Sequence, residues 1–322
     1  MTTATAPAAA PGRARALGLV RDYGVYFALG LLFLVNLVVT DNFLTADNLR
    51  TQAVQMVPTL VVALGMALVI GTKGVDLSVG SVMAITSALL PLYLGYGAGL
   101  SAGVCLLAGA AAGLLSGYLV AFVGVQPIVA TLALLVGGRG LALVLAGGQL
   151  KDIRNPQLRE LGAGSVLGIP YTVLIAAVLA VLVGLLVSRT TFGRQVVAIG
   201  GNPKAAQFAG LPVKRVLVTV YVVSGMLAAI AGVLATARLS ASDPSRLGEL
   251  IELAAITAVV VGGTPLTGGR VRILGTVAGA ALMQLIVATL IKNDVPASLA
   301  QMAQALIIAA AVLVQREGNG SR

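Results

Sequence analysis

The sequence has no histidine, no tryptophan and one cysteine, and only 10% of its 322 residues are charged. Each scarcity excludes something. Without histidine, Ser-His-Asp and Cys-His catalysis, histidine zinc sites and histidine proton relays are unavailable. Cys105 alone forms no intrachain disulfide, and its apolar run suits a small buried hydrophobe. Without tryptophan, anchoring at a membrane surface falls to tyrosine, lysine and arginine. A soluble domain carries about 25% charged residues. Here 58% of residues are hydrophobic and the mean hydropathy is +1.01. That excludes an ordinary soluble globule, a disordered chain and a nucleic-acid-binding domain. The net charge of +10 does not change this, because the basic residues lie scattered between long apolar stretches.

A phosphate-binding loop needs Gly-x-x-x-x-Gly-Lys-Ser/Thr. The lysines are Lys73, Lys151, Lys204, Lys214 and Lys292, followed by Gly, Asp, Ala, Arg and Asn. None fits, so any ATP-driven work draws its hydrolysis from another polypeptide. No metal cluster and no nucleophile with a base is visible, which argues against an intramembrane enzyme. A secondary transporter would place more acids, histidines or lysines at membrane depth.

What the chain does have is apolar length. A membrane helix takes about 20 mostly apolar residues. The pattern predicts an all-α, polytopic bundle of about ten spans, near 23–40, 52–71, 77–94, 98–123, 127–147, 170–188, 216–237, 251–263, 272–291 and 298–315. Gly71-Thr-Lys-Gly74 and Gly262-Gly-Thr-Pro-Leu-Thr-Gly-Gly269 interrupt apolar runs with turn chemistry, as broken or re-entrant helices do. With the N-terminus inside, the inner loops hold 13 basic residues against three acids. The outer loops hold six against eight, and Arg139 and Arg238 lie in or near spans. The positive-inside rule then places both termini in the cytoplasm. Residues 1–22 read as a disordered cytoplasmic tail and not a cleaved signal peptide, 23–315 as the membrane domain, and 316–322 as a second tail.

Glycine is abundant, at 40 residues. Gly109, Gly113 and Gly117 fall on one helix face, and Gly275 and Gly279 repeat the spacing. Such faces let helix backbones approach closely, with a partner in the same chain or another.

Segment 189–215 carries five basic residues and no acid. Asn202-Pro203 is a helix start, with Asn as cap and Pro at the first position, and Gly210 is a stop. A two-turn helix presenting Phe208 and Leu211 goes beyond what a merely charged loop requires, and favours docking of a soluble partner.

These segments carry a resemblance. Gly74-Val-Asp-Leu-Ser-Val-Gly-Ser81 is similar to a run in the monosaccharide (ribose/xylose-type) ABC transporter permeases. So are Ala198-Ile-Gly-Gly-Asn-Pro-Lys-Ala-Ala-Gln-Phe-Ala-Gly210, which resembles their cytoplasmic coupling loop, and Ala255–Arg270, Gln126–Leu132 and Gly137-Gly-Arg-Gly140. The resemblance covers residues 23–315, and galactofuranose-type members look nearest. One departure is Ala254, where the family often has an acid; Glu252 is kept. The resemblance implies a permease subunit of an ATP-driven importer in the inner membrane. It implies a second permease copy or paralogue, an ATPase subunit with two nucleotide-binding domains using ATP and magnesium, and a periplasmic or extracellular sugar-binding protein. No cofactor in this chain and no nucleic acid are expected; lipid surrounds it. A branched-chain amino-acid permease of the same superfamily is the alternative. It assigns ATPase coupling to Gly200, Gly201, Asn202, Ala205, Ala206, Phe208 and Gly210.

Four further residues are candidates for the translocation path: Asp76, Ser78, Gln126 and Arg139. Asp76 suits a helix cap, with Lys73 a possible partner, or substrate contact. Arg139, among glycines, suits an ion pair or a cap on carbonyls, and Gln126 suits a cap before Pro127. Glu249 and Glu252 precede the eighth span, as a solvated face or a docking point for the binding protein.

Overall fold

The computed structural model describes residues 11–293 together with 295, 296, 299, 302, 305 and 306, with side chains from residue 23 onward. The helices are α1 (Pro11–Val39), α2 (Ala46–Gly71), α3 (Val79–Tyr93), α4 (Ala98–Tyr118), α5 (Pro127–Ala146), α6 (Pro156–Ala163), α7 (Tyr171–Arg189), α8 (Thr191–Gly201), α9 (Pro203–Phe208), α10 (Val213–Leu239), α11 (Ile251–Val261) and α12 (Ile273–Lys292). Among the described residues, four two-residue strands accompany them: β1 (Lys151–Asp152), β2 (Ser165–Val166), β3 (Ile169–Pro170) and β4 (Ala241–Ser242). Strand β1 pairs antiparallel with β4, and β2 with β3.

Among the described residues, seven helical stretches are long and apolar enough to cross a membrane: 46–71, 79–96, 98–123, 127–146, 171–189, 213–239 and 273–292. Two shorter apolar stretches, Tyr23–Val39 and Ile251–Val261, coincide with the first and eighth expected spans. The tenth, 298–315, lies largely outside the described residues. Helix α1 begins at Pro11, so residues 11–22 of the expected disordered tail are helical.

Helices α2 and α10 form the centre. From Leu60 to Gly71 every residue of α2 is buried, and α10 is buried from Leu227 through Ala237 save Ile230. A helix apolar on all sides belongs inside a bundle. Few residues of helices α5 and α7 are buried, so they present apolar surface to lipid or to a partner.

The glycine faces pack within this chain. A Cβ on Gly113 would collide with the Tyr221 carbonyl, one on Gly117 would stand 2.8 Å from the Val218 Cα, and one on Gly109 would strike the Gly225 carbonyl; all three partners are on α10. On α12, Gly275 and Gly279 rest in the same way against Gly262 and Ala258 at the end of α11. Close backbone approach supplies dispersion contacts where water exclusion supplies little. Cys105 is buried, its thiol 3.4 Å from the Thr86 carbonyl.

Basic residues gather at one end of the bundle, around the turn after α2, helices α8 and α9, and the turn after α11. At the opposite end, Lys292 donates to the Asp41 carbonyl at 2.9 Å, and Arg50 to the Ala163 carbonyl of α6 at 3.3 Å.

Candidate functional site: two helix breaks beside the first turn of α3

The chain leaves helical geometry between α2 and α3, and again on both sides of α11. Backbone that is not helical at membrane depth survives only where protein or trapped water satisfies its polar groups. The partners of these groups define the site.

At the basic end, the turn after α2 meets the turn after α11. The Gly269 amide donates to the Gly71 carbonyl at 3.0 Å. Gly200, at the end of α8, sits where a side chain would run into the Gly71 carbonyl and stand 2.5 Å from the Gly269 amide nitrogen. Lys73 donates to the Gly201 carbonyl at 3.2 Å. The expected pairing of Lys73 with Asp76 is therefore replaced by a contact to the loop that precedes α9. Lys73 adopts a positive φ of 66° in turning the chain.

Deeper in, Asp76 is 1% exposed. Its Oδ1 accepts the Ser78 amide at 3.0 Å and the Ser78 hydroxyl at 2.6 Å, and its Oδ2 accepts the Ser224 hydroxyl of α10 at 2.8 Å. Asp76 is not itself the cap: Ser78 holds that position and makes no side-chain capping bond, and the Asp76 carboxylate accepts the Ser78 amide just before α3. It also fastens that start to the bundle centre, which a cap alone does not. The Tyr221 hydroxyl is buried nearby, without a hydrogen-bond partner among the described residues. It lies where a Cβ on Gly74 would be 2.7 Å away.

Ser81 links this cluster to α5. Its hydroxyl donates to the Ser78 carbonyl at 2.8 Å and the Leu134 carbonyl at 3.0 Å, while Thr131 reaches the Val75 carbonyl at 3.3 Å. Two turns along α5, Arg139 donates to the carbonyls of Pro244 (3.1 Å), Leu247 (2.8 Å) and Gly248 (3.2 Å). Of the two expectations for Arg139, the carbonyl cap is the one observed. Three carbonyls of a partly buried, irregular segment are satisfied by one planar fork of donors.

Gly248 lies against Gly80: a Cβ on Gly80 would stand 2.5 Å from the Gly248 carbonyl and 2.7 Å from Glu252 Oε2. Glu252 is thus an interior residue, 6% exposed, and Oε2 has no hydrogen-bond partner among the described residues. The expectation of a surface docking point at Glu252 is corrected. The chain after α10 does not stay outside the bundle but descends along α3, with the Ser242 hydroxyl on the Ser87 carbonyl at 2.7 Å, before α11 begins. Glu249 is exposed.

Asp76, Ser78, Arg139 and Glu252 therefore surround the first turn of α3, where the two irregular segments meet. Gln126 does not join them. It occupies the N-cap position of α5, exposed, and its side chain makes no capping bond, in contrast to the expectation.

The Asn202-Pro203 helix forms as α9. Asn202 Oδ1 accepts the Ala205 amide at 3.0 Å, and Gly210 ends the turn at φ +79°. Ala206 is buried, Gly200 is buried at the end of α8, and Gly201 and Ala205 are exposed; Phe208 stands 92% exposed at the basic end. Sequence reading missed α8. Its signals were Thr190, which caps the Gly193 amide at 3.3 Å, and Val196 and Ile199 spaced to face the core. It also missed α6, although Asn155-Pro156 repeats the start signal of α9.

Comparison with known proteins fits this geometry. The profile of a family described as "Branched-chain amino acid transport system / permease component" matches residues 48–313. The chain is 41% identical over 74% of its length to the fructose import permease protein FruF of Bifidobacterium longum, 68% of which is covered. It is 39% identical over 81% of its length to the galactofuranose transporter permease protein YtfT of Escherichia coli, covering 77% of that protein. It is 38% identical over 79% of its length to the ribose import permease protein RbsC of Haemophilus influenzae, covering 80%. The chain is a multi-pass membrane protein, and it belongs to this family of ABC transporter permeases, together with the sugar-import members it matches.

Proposed function

We propose that this chain is the membrane-spanning subunit of an ATP-driven importer that carries a monosaccharide across the inner membrane. In this reading the bundle has about ten spans within residues 23–315, both termini are cytoplasmic, and the basic end faces the cytoplasm. A separate ATPase with two nucleotide-binding domains docks on the 189–215 loop and uses ATP and magnesium. This chain holds no cofactor and is not itself an enzyme. It works as a pair with a second copy or a paralogue. A binding protein delivers the sugar from the other side, where a groove of about 1000 Å³ between α6 and the end of α10 is lined by Asp152, Arg154, Arg159 and Glu160. Glu249 is exposed on that side too.

One observation carries the reading. Helix α9 presents Phe208 to solvent, while Gly200 and Gly201 just before it touch the turns after both α2 and α11. A push on α9 thus reaches both helix breaks through backbone contacts and a lysine. Contact transmitted to two discrete arrangements of a helix bundle is what alternating access requires. The relatives named for fructose, galactofuranose and ribose favour a sugar over an amino acid as cargo.

The test is reconstitution. Vesicles holding this chain with its ATPase and binding protein should accumulate radiolabelled monosaccharide only with ATP. Accumulation against a gradient by vesicles holding this polypeptide alone would refute the reading.

A further inference from the structure

Three places in the chain set Asn or Asp before proline where a helix can begin: Asn155-Pro156, Asn202-Pro203 and Asp243-Pro244. The first two start α6 and α9, each with the Asn side chain accepting the amide three residues on. Asp243 begins differently, with an Asx turn to the amide two residues on, and one helical turn follows it. Its carboxylate accepts the amide of Ser245 at 3.1 Å, and the Leu247 amide bonds to the Asp243 carbonyl at 2.9 Å. No proline follows before Pro265. Gly248 apart, local sequence thus permits one helix from Pro244 to Val261, about 27 Å long and close to the ~30 Å hydrocarbon thickness.

The structure breaks that helix. Gly248 has φ +73° and Leu250 φ +57°. The left-handed region suits glycine, but it is uncommon for leucine. Helix α11 is left with 11 residues, roughly half a span. A conflict between local preference and observed conformation marks a strained or functional place.

Arg139 maintains the break. Its three acceptors, the carbonyls of Pro244, Leu247 and Gly248, are those that a continuous helix would offer to the amides of Gly248, Ile251 and Glu252. Glu252 lies beside one of these acceptors: a Cβ on Gly80 would stand 2.5 Å from the Gly248 carbonyl and 2.7 Å from Glu252 Oε2, a buried carboxylate oxygen that has no hydrogen-bond partner among the described residues. The guanidinium therefore has a second acceptor at hand, and the segment has a second conformation that its sequence permits.

We propose that Arg139 and Glu252 are positioning residues of a two-state segment, 243–252. In the state described here, Arg139 holds the three carbonyls and the helix is broken. In the other state, the guanidinium pairs with the Glu252 carboxylate, the carbonyls return to helix bonds, and α11 extends back to Pro244. Gly248 then withdraws from Gly80, and the first turn of α3, with Asp76 and Ser78, is uncovered. The inference rests on the permease reading, which it deepens by naming the moving part.

The test is hydrogen exchange on the full chain in lipid nanodiscs, read at the amides of Gly248, Ile251 and Glu252. In Arg139→Gln the released carbonyls accept these amides, and exchange slows at least tenfold. A simple staple predicts the reverse, because its loss melts the loop; unchanged or faster exchange overturns the proposal. Should Arg139→Gln not fold, Leu250→Gly takes its place. Glycine favours the broken state, so sugar uptake by the reconstituted complex falls at least tenfold while the thermal midpoint holds or rises. Unchanged uptake overturns the proposal. The exchange experiment needs neither sugar nor ATPase, so its failure leaves the permease reading standing. Absence of uptake by the wild-type complex defeats that reading and leaves the exchange result intact.

Discussion

The Gly269 amide donates to the carbonyl of Gly71 at 3.0 Å and ties the turn after α11 to the turn after α2. Gly200 abuts the same carbonyl. Three segments far apart in sequence thus share one backbone contact, at the end of the bundle where α9 is displayed.

That contact leaves no room for a methyl group. Gly200→Ala should lower stability by about 1–3 kcal/mol, the usual range for overpacking. Gly201→Ala should be nearly neutral, because nothing lies within 4 Å of a Cβ there. Thermal unfolding of the two variants in detergent checks the contrast. Equal midpoints would remove Gly200 from the junction.

Phe208 is 92% exposed and contributes little to the fold. Phe208→Asp should insert and unfold like the wild type yet lose co-purification of the ATPase. Gly201→Trp should do the same by obstructing the docked face. A complex that co-purifies undiminished in both variants would move the docking site elsewhere.

Asp76 is the common acceptor for Ser78 and Ser224. Asp76→Ala leaves a buried amide and two buried hydroxyls without it, and should cost about 1–3 kcal/mol or more. Asp76→Asn keeps an acceptor oxygen for the Ser78 amide and should lose less. Denaturation of both variants in detergent, with Ser224→Ala as the single-bond reference, reads the difference. A loss in Asp76→Asn as large as in Asp76→Ala would point to the charge instead of the bonds.

The charge asymmetry predicts orientation. In a Cys105→Ala background, Ser165→Cys, exposed on β2 between α6 and α7, should react with an impermeant thiol reagent in intact cells. Lys204→Cys on α9 should react only after the membrane is opened. The opposite pattern would invert the bundle.

Much of the architecture was legible in residue patterns. Apolar runs located the helices, because length and hydropathy decide what lipid accepts. Asn202-Pro203 and Gly210 bounded α9, because caps are local chemistry. The glycine faces on α4 and α12 announced close packing, though not that the partners were α10 and α11. The candidate site was half legible. Asp76 and Arg139 stood out as charges in apolar surroundings, but Arg139's acceptors lie more than a hundred residues away in sequence. Glu252 was read as exterior, because the flank of a hydrophobic run looks the same whether the chain rests on the surface or descends into the bundle.

The sequence by itself determined that this chain lives in a membrane, that its basic loops share one side, and that it lacks a phosphate-binding loop of its own. Those properties follow from composition and local spacing, which no folding can alter. Only the tertiary structure decided that the turns after α2 and α11 meet at Gly71 and Gly269, that Gly248 packs on Gly80 of α3, that Arg139 caps carbonyls, and that Glu252 is interior. These depend on which backbones come within contact distance, and that is set by packing of the whole bundle around α2 and α10.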